Sequence, residues 1–171
     1  SLETSVIALR SFTILGREVD GQILFLRSED LVNISKIDLR DKIIVLDKTI
    51  DEELLWKLSR KNIRGLIINM LSVNVLFAIQ KDLNLLEGEL GFSIAILSGF
   101  GKIDMPSFFS KIFLKCNKDS LIKISPKEGR IMLSDKNIFS VTFLKKISQR
   151  FVKVRKGIKV KILEGDWFGR W

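Results

Sequence analysis

The sequence predicts an α/β domain built on a short parallel sheet. Three short, nearly all-apolar runs rich in β-branched residues lie at 42–47, 64–69 and 92–97, which is typical of strands buried on both faces. Each run is followed by a segment whose apolar residues recur at helical spacing. Three strand–helix units in a row favour parallel strands joined by right-handed crossovers.

The strongest helix signal follows the first run, in TIDEELLWKLSRKN at 49–62. Thr49 and Glu52 have the spacing of a capping box, acidic residues fill the first turn, and basic residues fill the last. We expect Ser72 to open the second helix and Asp104, two residues ahead of a proline, to open the third.

Five further segments predict strands outside these units. Two precede the first unit, at 4–12 and 22–28, and the second of them follows an Asp-Gly turn pair. Residues 120–125 and 130–133 form a predicted hairpin around the turn PKEG, and 137–144 is a further strand. We therefore expect one α/β domain over residues 3–144, followed by a basic connector and a short β segment over 145–171.

Residues 12–133 resemble the swivelling β/β/α domains of phosphoenolpyruvate-utilising enzymes and aconitase-related proteins. The resemblance implies a three-layer β/β/α arrangement. Because the phosphohistidine domain of that family needs a histidine and this chain has none, the resemblance implies the fold and not the phosphotransfer activity. Four stretches carry it: GREVDGQILFL (16–26), DLRDKIIVLD (38–47), NIRGLIIN (62–69) and SLIKISPKEGRIML (120–133).

The lack of histidine also excludes Ser-His-Asp triads, Cys-His nucleophiles and His-ligated metals. With one cysteine, Cys116, the chain cannot form an intramolecular disulfide or a Cys/His zinc site. We expect no metal, no cofactor and no catalytic residues. The longest apolar stretch, 65–79, is short for a membrane span and contains polar residues, so a cytoplasmic protein without a membrane partner is expected.

A ligand site is predicted at the carboxyl edge of the parallel sheet. Ligands of open α/β sheets prefer the crevice at the carboxyl ends of the strands, and glycines there let an anion approach the backbone closely. The alternative is that these residues only form turns and helix caps. The candidates are the strand-final Asp47, Asn69 and Ser98, the loop residues Gly99, Phe100 and Gly101, and Lys102 as a countercharge.

The basic residues are concentrated in the last part of the chain. Residues 1–100 hold 12 Lys and Arg against 14 Asp and Glu, whereas residues 101–171 hold 17 against 6. No acidic residue lies between Lys136 and Leu163. The net charge of +9 therefore belongs to the C-terminal part.

Residues 156–171, KGIKVKILEGDWFGRW, resemble the KOW motif of NusG-type transcription factors and certain ribosomal proteins. Since the last glycine of the motif falls after Trp171, the resemblance implies either that the natural chain continues or that these residues pack on the main domain. The glycines and apolar residues of the motif are matched by Gly157, Val160, Ile162, Gly165, Phe168 and Gly169.

Clustered cations beside aromatic rings suit phosphate contacts and base stacking, so this segment predicts a non-catalytic module that binds RNA or a ribonucleoprotein. A protein partner, a small-molecule or carrier role for the carboxyl-edge loop, and a structural spacer remain alternatives, and the oligomeric state is open. The predicted nucleic-acid contacts are Lys145, Lys146, Arg150, Lys153, Arg155, Lys156, Lys159, Lys161, Trp167 and Arg170.

Overall fold

In a computed structural model, residues 5–86, 91–116 and 120–135 of the chain are described. Over these ranges the protein has the predicted α/β class, with eight strands and four α-helices. The strands are β1 (Ser5–Arg10), β2 (Thr13–Leu15), β3 (Val19–Leu26), β4 (Ile43–Leu46), β5 (Gly65–Leu71), β6 (Ser93–Phe100), β7 (Leu121–Ser125) and β8 (Arg130–Asp135). The helices are α1 (Ser28–Leu31), α2 (Glu52–Ser59), α3 (Val73–Leu86) and α4 (Ser107–Leu114), and a 3-10 turn covers Ile34–Lys36.

The three predicted strand–helix units form the centre of the fold. Strands β3, β4, β5 and β6 are parallel neighbours, with Ile43 of β4 opposite Gly65 of β5, which in turn lies opposite Ser93 of β6. All four residues of β4 are buried, as are the first five of β5 and of β6. The nearly continuous apolar sequence of these strands follows from burial on both faces.

Strand β3 joins this parallel sheet to an antiparallel one. Its first half, Val19–Gln22, pairs with β7, and its second half, Ile23–Leu26, pairs with β4. The predicted hairpin of β7 and β8 is present, and β1 adds to β8. The full strand order is β1-β8-β7-β3-β4-β5-β6-β2, with β2 antiparallel to β6.

Two separate hydrophobic clusters show how the sheets and helices are layered. Alternate residues of β4 divide between them: Ile44 belongs to the cluster that contains Leu55 of α2 and Ile79 of α3, whereas Val45 belongs to the cluster that contains Ile124 of β7. The side chains of α4 also pack in this second cluster. The parallel sheet therefore lies between α2 and α3 on one face and the antiparallel strands with α4 on the other.

Several local predictions were wrong. Short elements were missed, namely β2, α1 and the 3-10 turn. Helix α2 is capped by Asp51, whose carboxylate accepts a hydrogen bond from the Leu54 amide, and not by the predicted capping box of Thr49 and Glu52. Helix α4 begins at Ser107, so Asp104 does not cap it.

Some predictions fall outside the described residues. They are the strand at 137–144, the basic segment with its KOW-like stretch at 145–171, and the boundary between the two predicted domains. Within the described part of the chain, no helix is long and apolar enough to cross a membrane.

Candidate functional site

At the carboxyl edge of the parallel sheet, two of the three strands end later in the sequence than predicted. Asp47 directly follows β4 as predicted, but Asn69 lies inside β5, which continues to Leu71. Ser98, Gly99 and Phe100 belong to β6 and do not form a loop. Two of the three residues predicted to be strand-final, Asn69 and Ser98, therefore each lie two residues before the end of their strand.

A β-bulge explains the longer strands. Ile68 of β5 lies opposite Ile96, but Met70 lies opposite Gly99, so β6 has one residue more than β5 in this interval. Gly99 has a φ of +132°, a conformation that favours glycine. Bulges redirect side chains and often lie next to functional sites. Here the bulge brings the Ser98 side chain to that of Asn69.

The Asn69 side chain is the centre of a buried hydrogen-bond network. Its amide nitrogen donates to the carbonyls of Ile103 and Asp104, at 3.0 and 3.1 Å, and its amide oxygen accepts from the Ser98 hydroxyl at 2.6 Å. Asn69 is only 3% exposed, and buried amides of this kind require such partners. The network fixes the segment that leads from β6 to α4.

Three backbone amides hold the same segment against the neighbouring strands. The amide of Gly101 donates to the Leu71 carbonyl at 2.9 Å, and that of Met105 donates to the Asp47 carbonyl at 2.7 Å. The Asp104 carboxylate accepts from the Thr49 amide at 2.7 Å. The connections after β4 and β6 are thus bound directly to each other across the end of the sheet.

Asp47 has an unusual electrostatic environment in this network. Its Oδ1 atom is buried and has no hydrogen-bond partner among the described residues. Burial raises the pKa of this carboxyl, and the nearby Asp104 charge raises it further, while hydrogen bonds from Ser28 act in the opposite direction.

A cavity of about 410 Å³ opens at this edge, on the side of α2 and α3. Of the seven predicted ligand residues only Lys102 lines it. Sequence reasoning missed the other lining residues because it considered the ends of the strands, whereas the cavity is lined mainly by residues just before and at the start of the helices. These are Lys48, Thr49, Ile50, Asp51, Glu52, Ser72, Asn74 and Val75.

The remaining predicted ligand residues have other neighbours. The Ser98 hydroxyl donates to Asn69, and Asn69 donates to the segment before α4. Phe100 makes an edge-to-face contact with Phe12, at 5.6 Å between ring centroids. These residues are therefore occupied with internal contacts.

A second cavity, of about 530 Å³, lies at the amino edge of the same strands. Arg64 lines it, with its guanidinium 3.5 Å from the Asp41 carboxylate and 3.1 Å from the Asp20 carbonyl. Asp41 and Asn62, which both line it, have positive φ angles of 58° and 53°. Asp and Asn tolerate this conformation better than most residues, so it fits two tight connections.

Cys116 packs against the cluster that contains α4, and its thiol lies 3.6 Å from the Ile112 carbonyl. Among the described residues, no three His, Cys, Asp or Glu side chains are grouped so as to hold a metal ion. The predicted nucleic-acid contacts from Lys145 to Arg170 lie outside the described ranges.

No protein-family model, curated protein or solved structure matches this chain. The resemblances to swivelling domains and to the KOW motif therefore remain predictions.

Proposed function

We propose that this chain is a non-catalytic binding module that contacts RNA through its basic C-terminal segment. The division of charge along the sequence carries the proposal. Residues 1–135 hold 19 Lys and Arg against 18 Asp and Glu, whereas residues 136–171 hold 10 against 2. The α/β domain is close to neutral, so its phosphate affinity would come from the last 36 residues.

The types of residue in that segment favour RNA as the partner. Lysines and arginines neutralise phosphates and release counterions. Phe151 and Trp167 lie among them, and aromatic rings are the usual stacking surfaces for unpaired bases. A single-stranded region of RNA offers both its phosphates and its base faces to such a segment.

The features of the α/β domain support a binding role more than a catalytic one. The chain has no histidine. The buried Asn69 and the Ser98 hydroxyl, the two neutral polar side chains predicted at the carboxyl edge, form structural hydrogen bonds. The order of layers, with the parallel sheet between the antiparallel strands on one face and α2 and α3 on the other, supports the proposal that this domain is of the swivelling type.

The proposal is tested by fluorescence anisotropy of a labelled 20-nucleotide oligouridylate titrated with the full chain between 50 and 200 mM NaCl. In the test variant, Lys153, Arg155, Lys159 and Lys161 are changed to Ala. Affinity is expected to fall, and the slope of log K against log salt to decrease by about 3, since each phosphate contact contributes about 0.7 for single strands.

The matched control removes four charges from exposed lysines of the α/β domain: Lys36, Lys81, Lys111 and Lys127. It is expected to keep the salt slope of the parent chain. Absent or salt-insensitive binding by the parent, or an equal loss in both variants, would overturn the proposal. In the first case a protein partner becomes the better explanation of the basic segment.

A further inference from the structure

The cavity at the carboxyl edge contains two lysines, Lys48 and Lys102. Neither forms an ion pair with any residue in the described ranges. Two cations that line one cavity repel each other, and an anion bound between them would relieve that repulsion.

Hydrogen bonds at the end of the sheet join the two connections on which the lysines lie. Lys48 precedes Thr49, whose amide donates to Asp104, and Lys102 follows Gly101, whose amide donates to the Leu71 carbonyl next to Ser72. The backbone beside both lysines is therefore held by bonds between connections, independently of any ligand. Thr49, Ser72 and Asn74 add polar groups to the lining.

We propose that this cavity binds a small hydroxylated phosphate monoester, with its phosphate between Lys48 and Lys102. A phosphate monoester is close to a dianion at neutral pH and has three terminal oxygens, which match two ammonium groups and the neighbouring polar groups. A carboxylate has half that charge. The volume of about 410 Å³ lies in the range of ordinary small-molecule sites.

The acidic residues of the cavity indicate where the rest of the ligand lies. The Asp51 carboxylate is engaged by the Leu54 amide, at 2.8 Å. Glu52, which begins α2, is exposed, lines the cavity and forms no ion pair within the described ranges. A carboxylate repels phosphate but accepts hydrogen bonds from hydroxyl groups, so the hydroxylated part of the ligand is placed at Glu52.

The proposal is tested by titrating the isotope-labelled full chain with glycerol 3-phosphate, inorganic phosphate and acetate at constant ionic strength and pH 7, following the amide signals by NMR. Saturable shifts are expected for the amides of residues 48–52 and 72–75. Glycerol 3-phosphate is expected to bind more tightly than inorganic phosphate, and acetate more weakly than either.

Variants separate this site from the rest of the surface. Lys48→Ala and Lys102→Ala are each expected to raise the Kd for glycerol 3-phosphate about tenfold, because each removes a charge-assisted contact. Lys111→Ala, an exposed lysine of α4, is expected to leave it unchanged. Glu52→Gln should weaken the binding of glycerol 3-phosphate but not the binding of inorganic phosphate.

The proposal is overturned by linear, non-saturating shifts, by shifts spread over all basic residues, or by equal effects of Lys111→Ala and Lys102→Ala. The variant in which Lys153, Arg155, Lys159 and Lys161 are changed to Ala must retain the response to glycerol 3-phosphate. If that variant loses it, the phosphate binds the C-terminal segment and the cavity is not a site, whereas the RNA proposal is unaffected.

Discussion

The two edges of the parallel sheet are held together by different kinds of interaction. At the carboxyl edge, the buried amide of Asn69 in β5 connects Ser98 of β6 with the segment that follows β6. At the amino edge, exposed ion pairs join neighbouring segments, such as Lys123 of β7 with Glu18, which precedes β3, at 2.7 Å. Buried hydrogen bonds are costly to lose, whereas exposed ion pairs contribute little, so we expect the carboxyl edge to be the better ordered of the two.

The same contrast appears in the pKa shifts of one acid at each edge. Burial raises the pKa of Asp47 at the carboxyl edge. At the amino edge, the hydrogen bond from Lys123 lowers the pKa of Glu18. The ionised form of the acid is therefore unfavourable at one edge and favourable at the other.

The largest effect is expected for Asn69→Leu, which keeps a side chain of similar size but removes its hydrogen bonds. The carbonyls of Ile103 and Asp104 and the Ser98 hydroxyl then lose a partner. The free energy of unfolding, measured by urea denaturation, should fall by about 3 kcal/mol.

Two further variants make this result specific. Ser98→Ala removes only the hydrogen bond to the Asn69 amide oxygen and should lower the free energy of unfolding by about 1 kcal/mol. Asn33→Leu changes an exposed asparagine and should have little effect. If Asn69→Leu costs no more than Asn33→Leu, the carboxyl edge is not held by this network and the contrast between the edges fails.

A smaller effect with a characteristic pH dependence is expected for Asp47→Asn. Because the folded-state pKa of Asp47 is raised, its contribution to stability is fully present below the unfolded-state pKa and is lost as the pH rises through the folded-state pKa. The parent chain should therefore gain stability relative to Asp47→Asn as the pH falls from 7 to about 4. Urea denaturation at several pH values measures this difference.

The matched control for that experiment is Asp20→Asn, an exposed carboxylate near the amino edge. This variant makes the same change from carboxylate to amide at a position away from the carboxyl edge. A parent chain that loses stability relative to Asp47→Asn on acidification would contradict the burial of the Asp47 carboxylate.

The central part of the fold was predictable because burial on both faces of the sheet requires an apolar sequence. Strands β4, β5 and β6 are buried on both faces, and this produces the continuous apolar runs by which they were found. Strand β2 was missed since its three residues are too few to show a periodicity. The division of β3 between two sheets involves no special residue pattern, because it depends on pairing with distant strands.

The site was less predictable because a bulge cannot be derived from strand periodicity. The extra residue in β6 moves Ser98 to the side chain of Asn69 and so converts two expected ligand residues into structural ones. Similarly, Asp104 has the sequence context of a helix cap but binds the Thr49 amide, 55 positions away. Only Lys102 was correctly placed on the cavity, since its position after the third strand was sufficient.

The smallest effect is expected for Glu18→Gln at the amino edge. The lowered pKa of Glu18 means that its contribution to stability is present above its unfolded-state pKa and is lost as the pH falls through its folded-state pKa. The partner Lys123 has a raised pKa, chiefly because of its hydrogen bond to Glu18, so the contribution is also lost at high pH, as the pH rises through the folded-state pKa of Lys123.

The difference in unfolding free energy between the parent and Glu18→Gln should therefore be largest near neutral pH and should disappear on acidification, opposite in direction to that of Asp47. Both side chains of the pair are about half exposed, so 1 M NaCl should screen most of the difference. Urea denaturation at pH 3, 5 and 7, with and without salt, measures it. A large, salt-insensitive loss in Glu18→Gln would show that the amino edge depends on buried charge, and the two edges would then not differ in the way described.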